Sequence, residues 1–197
     1  MKSNKTLTYY NANAHTFTES TVNVDFSDVQ SKFLNKLDFG ASILDFGCGS
    51  GRDTKYFLEK GYVVEAIDGS EGLCRIASAY SGIQVKNMLF EDLQEVERYD
   101  AIWACSSILH LSYVELVDVM KKMVIALKDK GLIYTSFKYG TFEGIRNGRY
   151  FIDMTEDRLE KLLCDVEGIT IEETWITSDV RPERSEEKWL NLFLRKK

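Results

Sequence analysis

Two acids and three glycines dominate the chemistry that this chain could perform. The apolar pair Ile43-Leu44 runs into Asp45-Phe46-Gly47-Cys48-Gly49-Ser50-Gly51-Arg52, which reads as a buried strand feeding a helix through a loop nearly without side chains. Glycine has no Cβ, so the backbone there turns at positive φ and a ligand lies directly on the main chain. The loop is expected to cradle a nucleotide-like cofactor. The dinucleotide fingerprint G-x-G-x-x-G, counted from Gly47 and Gly49, demands glycine where Arg52 stands. Asp45 adds a carboxylate that suits an ammonium and disfavours a pyrophosphate. A second buried strand, Tyr62 to Asp68, ends in another acid, placed to meet a ribose diol.

With these residues the chain resembles the class I S-adenosylmethionine (SAM) dependent methyltransferases, in the subgroup called tellurite-resistance-related or type 11. The resemblance runs over nearly all of the sequence. It implies SAM as cofactor and S-adenosylhomocysteine as product. It further implies that Asp45, Gly47, Cys48, Gly49 and Gly51 hold the methionine part, Asp68, Gly69 and Ser70 the ribose, and Asn87, Met88 and Leu89 the adenine, with Arg52 also among the cofactor-binding residues. Cys105-Ser106-Ser107-Ile108-Leu109-His110 matches a subgroup segment that lines the cofactor and reaches the transfer centre. Tyr10, in the aromatic cluster Tyr9 to Phe17, belongs to a cap expected to close over SAM.

The acceptor side offers fewer fixed points. His110 is read either as a general base or substrate hydrogen-bond donor, or as a histidine bonded structurally near a helix start. Tyr150 is expected to flank the acceptor with it. Cys105 is read as a small buried thiol, because no base is fixed beside it. Lys138, Arg146 and Arg149 fall in a segment expected to form a mobile loop, and Arg181 and Asn191 come from the terminal R-P…W-x-N pattern that relatives share. Guanidinium forks match carboxylates, phosphates and other oxyanions, so the favoured acceptor is a small anion; pairing of these arginines with nearby acids is the alternative. No Asn-Pro-Pro-Tyr or Asp-Pro-Pro-Tyr follows the fourth strand, which argues against methylation of nucleic-acid bases. A SAM-binding regulatory or partner subunit without catalysis stays open, and so, less favoured, does an NAD-dependent oxidoreductase.

The elements that must position these residues follow a β-α-β rhythm. Residues 1–24 read as polar and irregular, and Asp25 to Leu37 as a helix capped by Asp25 or Ser27. Helices are expected over Asp53–Lys60, from Ser70 to Ser81, from the capping box Ser112-x-x-Glu115 to Leu127, and from Thr155 to Val166. Strands follow at Ile83–Val85, Tyr99–Ala104, Leu132–Phe137 after a turn at Gly131, Ile169–Thr177 and Trp189–Leu194. The expected fold is α/β and Rossmann-like, a seven-stranded sheet, parallel except for its last strand, with helices on both faces. Strand order comes from the resemblance. One domain spans 1–197, with 1–40 as N-terminal lid and helix and 41–197 as catalytic core.

Composition narrows the partners. With 25 Lys and Arg against 31 Asp and Glu, the net charge of −6 opposes broad binding to nucleic acid or anionic membrane. The four cysteines lie apart, without a C-x-x-C pair or secretory leader, so no disulfide framework and no metal site is expected and the thiols read as cytoplasmic. A soluble monomer or homodimer acting on a small molecule is the expectation, since no apolar run approaches the roughly 18 residues that span a bilayer.

Overall fold

The computed structural model describes residues 2–181 and 184–197. Met1, at the start of the N-terminal stretch, and Pro182 and Glu183, in the R-P loop, lie outside the described residues. Seven strands make the main sheet in the order β3-β2-β1-β4-β5-β9-β8, where β1 is Ser42–Phe46, β2 Val63–Asp68, β3 Lys86–Asn87, β4 Tyr99–Ala104, β5 Leu127–Lys138, β8 Ile169–Ser178 and β9 Lys188–Lys196. All pairings are parallel except those of β9, which runs antiparallel to both β5 and β8. The expected sheet is therefore present, with its last strand reversed.

Alternation along the strands builds two core layers. Leu44, Phe46, Ile102, Ala104 and Ile133 face α6 (Tyr113–Ala126) and α7 (Glu156–Asp165). Their neighbours Ile43, Ala101, Trp103, Leu132 and Tyr134 face α3 (Ser27–Leu34) and α4 (Arg52–Glu59) through Phe33 and Phe57. Because side chains alternate across a strand, a sheet apolar on both sides must be covered by helices on both sides. The Ser112–Glu115 capping box opens α6, and the Ser70 side chain accepts the Leu73 N–H to open α5 (Glu71–Ser81).

Four expectations need correction. Residues 2–24 are largely helical, with α1 at Lys2–Ala12 and α2 at Ala14–Glu19. They dock through polar contacts, so no apolar stripe announces them: the Tyr150 N–H donates to Thr6 Oγ1 (3.0 Å), and Ser70 Oγ and the Gly72 N–H both donate to Asn11 Oδ1 (2.8 and 3.2 Å). The third strand is Lys86–Asn87 and not Ile83–Val85, because the Val85 N–H is taken by Ser78 Oγ and its side chain is buried beside Ala77. The Gly131 turn lies inside β5: Leu127 opposes Tyr99 and Leu132 opposes Ala101, so the residues between bulge out, with Lys130 at φ 59°. The segment after Lys138 is a hairpin of β6 (Glu143–Arg146) and β7 (Arg149–Ile152), turned by Asn147 and Gly148 at φ 50° and 78°. Two positive φ angles in a two-residue turn mark the I′ type that Asn-Gly favours.

Asp25 does support the start of α3, accepting the Ser27 N–H at 2.9 Å, but the residue at the cap position, Phe26, makes no side-chain cap bond. Among the described residues no helix is long and apolar enough to cross a membrane.

Candidate functional site

Loops at the carboxyl ends of β1, β2, β4 and β5, the helices α1 and α2, and the β6–β7 hairpin enclose a cavity of about 230 Å³. The glycine loop is pinned to the neighbouring strand, since the Gly47 and Cys48 N–H groups both donate to the Ile67 carbonyl (3.0 and 2.9 Å). Gly47 sits at φ 88°, and a Cβ there would lie 2.5 Å from Ser107 Cβ, so no other residue fits. Asp68 closes the loop from the far side, accepting the Gly49 N–H on Oδ2 (2.9 Å) and the Ser70 N–H on Oδ1 (2.8 Å). Burial raises its pKa, against the pull of those two bonds. Asp45 lies beneath the loop and accepts Thr54 Oγ1–H at 2.5 Å. Burial, and then the charge of Asp53, hold it well above the usual carboxylate range.

Asp53 fastens α3 to this loop. Its carboxylate takes hydrogen bonds from Arg52 Nε, Gln30 Nε2 and Trp103 Nε1 at 2.7, 2.7 and 2.8 Å. Arg52 lines the cavity with its guanidinium 4.7 Å from the Phe26 ring.

The roof comes from α1 and α2. Leu7 lies over Gly69, where a Cβ would approach it to 2.7 Å, and Phe17 lies over Gly49 at 3.1 Å. Tyr10 reaches across to His110. Because a carbonyl only accepts, the 2.6 Å contact of His110 Nδ1 with the Tyr150 oxygen fixes the ring proton on Nδ1. Nε2 then accepts the Tyr10 hydroxyl proton at 2.8 Å, and the Tyr10 oxygen accepts from Arg149 Nη1 at 3.3 Å. Burial, with a smaller contribution from the Arg149 charge, lowers His110 to about 4 in spite of the carbonyl bond. His110 is therefore a neutral, oriented acceptor at neutral pH.

A cationic wall faces it. Arg181 forks onto Asp179 (Nε–Oδ1 2.8 Å, Nη2–Oδ2 2.6 Å), and Trp189 Nε1 adds a third bond to the same carboxylate. Burial opposes ionisation of Asp179, but these donors outweigh it and hold the acid at about 2. Glu187 takes Lys138 and Arg184 together. Burial, then Arg184 and Arg146, bring Lys138 down to about 8.

Several expected residues stand elsewhere. The Tyr150 ring does not line the cavity; its hydroxyl donates to Glu143 at 2.5 Å, and only its backbone serves the site. Arg146 pairs with Asp153 at 2.9 Å and stacks on Phe142, outside the cavity. Asn87 is exposed and donates to the Asp68 carbonyl, while Met88 packs on the core; of that trio Leu89 alone lines the cavity. Gly51, at φ 80°, starts α4 against Ala77. The Asn191 amide is buried in the cavity wall, with its oxygen accepting from the Tyr134 hydroxyl. Gly69, Cys48 and Cys105 line the cavity, and burial and then Asp53 push Cys105 up to about 12, leaving a protonated thiol.

Arg184 and Phe90 are cavity residues that the sequence reading did not single out. Among the described residues no cluster of three or more His, Cys, Asp or Glu could hold a metal ion.

Residues 43–131 match the family model described as a methyltransferase domain. An uncharacterized methyltransferase from Staphylococcus carnosus (strain TM300) is 29% identical over 159 residues, covering 75% of this chain and 77% of its own. The fold is similar to that of Burkholderia thailandensis 1,6-didemethyltoxoflavin-N1-methyltransferase, solved with 1,6-didemethyltoxoflavin and S-adenosylhomocysteine (TM-score 0.75, 21% identity, 96% of this chain and 84% of that one). It is similar as well to magnesium protoporphyrin IX methyltransferase from Synechocystis PCC 6803, solved with SAM (TM-score 0.73, 18% identity, 96% and 94%).

Proposed function

We propose that the chain is a class I SAM-dependent methyltransferase, a reading supported by the methyltransferase-domain match and the similar folds, and that it places the methyl group on a small anionic acceptor by in-line displacement. One observation carries the proposal: the glycine loop with Asp68 and the cations Lys138, Arg149 and Arg181 line the same cavity.

The residues present fit the cofactor. After the Gly49 and Ser70 N–H groups are satisfied, each Asp68 oxygen keeps acceptor capacity for a diol hydroxyl. Gly47, Cys48 and Gly69 leave backbone bare at the cavity wall, and Leu7 and Leu89 supply apolar surface beside Gly69. In this reading Asp45, Gly49, Gly51, Arg52 and Ser70 shape the loop, Tyr10 and Cys105 close on the bound cofactor, and residues 1–40 serve as lid to a single domain. Bound SAM supplies an electrophilic methyl group, so the protein contributes binding, orientation and exclusion of water. The directed chain Arg149 to Tyr10 to His110 to the Tyr150 carbonyl holds three cavity side chains in one geometry. Arg149 and Lys138 then meet the acceptor's negative charge, His110 orients it, and Asn191 bounds the site. The Cys105–His110 segment supports assignment to the tellurite-resistance-related subgroup, and the net charge of −6 with unpaired cysteines supports a cytoplasmic setting.

Release of S-adenosylhomocysteine over a panel of small carboxylates and oxyanions tests the function. Turnover on such an acid is expected, and Arg149→Lys should depress it although the charge is kept, because the two-pronged contact is lost. Turnover confined to neutral or cationic acceptors, indifferent to Arg149→Lys, would refute the anionic acceptor.

A further inference from the structure

Outside the cavity lies a second hollow of about 470 Å³, and the two share a wall made of Phe17, Arg149, Arg181 and Arg184. The rest of the outer hollow is Tyr9, Asn13, Thr16 and Ser20, all from the roof helices or the turns beside them, so it is lined by hydroxyl, amide and aromatic groups with no carboxylate among the described residues. Three guanidiniums in one wall repel one another. Burial and then Arg181 lower the Arg184 pKa, with Arg149 contributing. The available acids offset only part of this charge: Asp179 is committed to Arg181, and Glu187 is shared between Arg184 and Lys138. No carboxylate of a described residue pairs with Arg149, whose contacts are the Tyr10 hydroxyl and the rings of Tyr9, Tyr10 and Phe151 at 4.6 to 5.6 Å. Its Nε is buried without a hydrogen-bond partner.

We propose that the outer hollow docks the oxyanion end of an elongated acceptor, a phosphate or carboxylate held by Arg149, Arg181 and Arg184, while the methyl-accepting end lies in the inner cavity. The inference deepens, and rests on, the reading of the chain as a methyltransferase for an anionic acceptor. Tyr9 and Phe17 offer ring faces beside the guanidiniums, so the part joining the two ends is one that packs on aromatic surface. The shared arginines then measure the distance between the anionic group and the acceptor atom, which selects an acceptor by length as well as charge.

Calorimetric titration of the full chain with inorganic phosphate and, separately, with benzoate tests this, with and without saturating S-adenosylhomocysteine and at constant ionic strength. One site is expected for at least one of the two anions, and which of them binds more tightly separates phosphate from carboxylate chemistry. Arg184→Gln should weaken that site at least tenfold. Thr16→Glu, which leaves every arginine in place and puts an acid on a solvent-exposed helical position of the hollow, should do the same. In both variants S-adenosylhomocysteine should bind within twofold of wild type, and that binding reports that they are folded. Anions binding no better than chloride, or any pattern other than loss in both variants, overturns the outer site. Failure of S-adenosylhomocysteine to bind wild type would instead strike the methyltransferase reading, and titration of the unloaded protein still decides the hollow.

Discussion

His110 gives the sharpest test of the site's electrostatics. Its Nδ1 proton goes to the Tyr150 carbonyl, its Nε2 lone pair takes the Tyr10 hydroxyl, and its pKa is lowered to about 4 from the ordinary 6.5, first by burial and then by Arg149. The unfolded chain therefore takes up a proton near pH 6.5 that the folded protein refuses until about pH 4. Stability falls as pH falls through that window, because the unfolded state binds the extra proton. Linkage with these two values gives a loss from this one residue of about 2 kcal/mol by pH 5 and about 3 kcal/mol by pH 4. His110→Asn keeps a donor for the carbonyl and an acceptor for the hydroxyl but does not titrate. Urea denaturation of both proteins should show the variant gaining on wild type by about 2 kcal/mol between pH 7 and pH 5. Groups common to both proteins, such as Asp45 and Asp68, cancel in the difference. If the two stability curves run parallel to within about 0.5 kcal/mol, His110 titrates as an ordinary exposed histidine and the buried neutral acceptor described above is wrong.

Three further outcomes are expected. SAM and S-adenosylhomocysteine should bind and NAD should not, with Asp68→Ala costing roughly 1.5–3 kcal/mol of cofactor affinity through lost charge-assisted bonds; NAD binding as tightly in calorimetry would overturn the reading of the loop. Deleting residues 1–24 should weaken cofactor binding yet leave a cooperative thermal transition, since the roof docks mainly through polar contacts, and loss of that transition would make the roof part of the core. Gly47→Ala should destabilise by more than about 1 kcal/mol, through the positive φ and the approach to Ser107; an unchanged denaturation midpoint would show that the loop can shift.

The parts of the fold legible in the sequence are those with local causes. Ile43 to Asp45 and Val63 to Asp68 are apolar runs, the second interrupted only by Glu65, that end in an acid, and the Ser70 and Ser112 caps are set within one helical turn. The Asn147-Gly148 turn is as local a signal, a two-residue link between short strands; the hairpin it closes carries Arg149 to the cavity and takes Arg146 away from it. The roof was not legible in the same way. Its docking joins Thr6 to Tyr150 and Asn11 to Ser70, pairs remote in sequence and polar in type, which no periodicity records. The direction of the Tyr150 ring follows from its position on β7, where neighbouring side chains alternate between faces, so only the strand assignment reveals that its hydroxyl goes to Glu143.

The roof helices have a kinetic consequence. The described contacts that hold them over the inner cavity include hydrogen bonds at Thr6, Tyr10 and Asn11 and the packing of Leu7 and Phe17 on two glycines. At about 1 kcal/mol for each such bond, these hydrogen bonds hold the roof by a few kcal/mol, less than the stability of a whole domain. Exchange of material with the inner cavity is therefore a local opening reaction with its own equilibrium constant. Whatever lies deepest must enter before the roof settles and leave after it lifts, while a molecule lodged in the outer hollow arrives later and leaves first. On the function proposed above, the cofactor, as the deeper of the two substrates, should add first and its product should depart last.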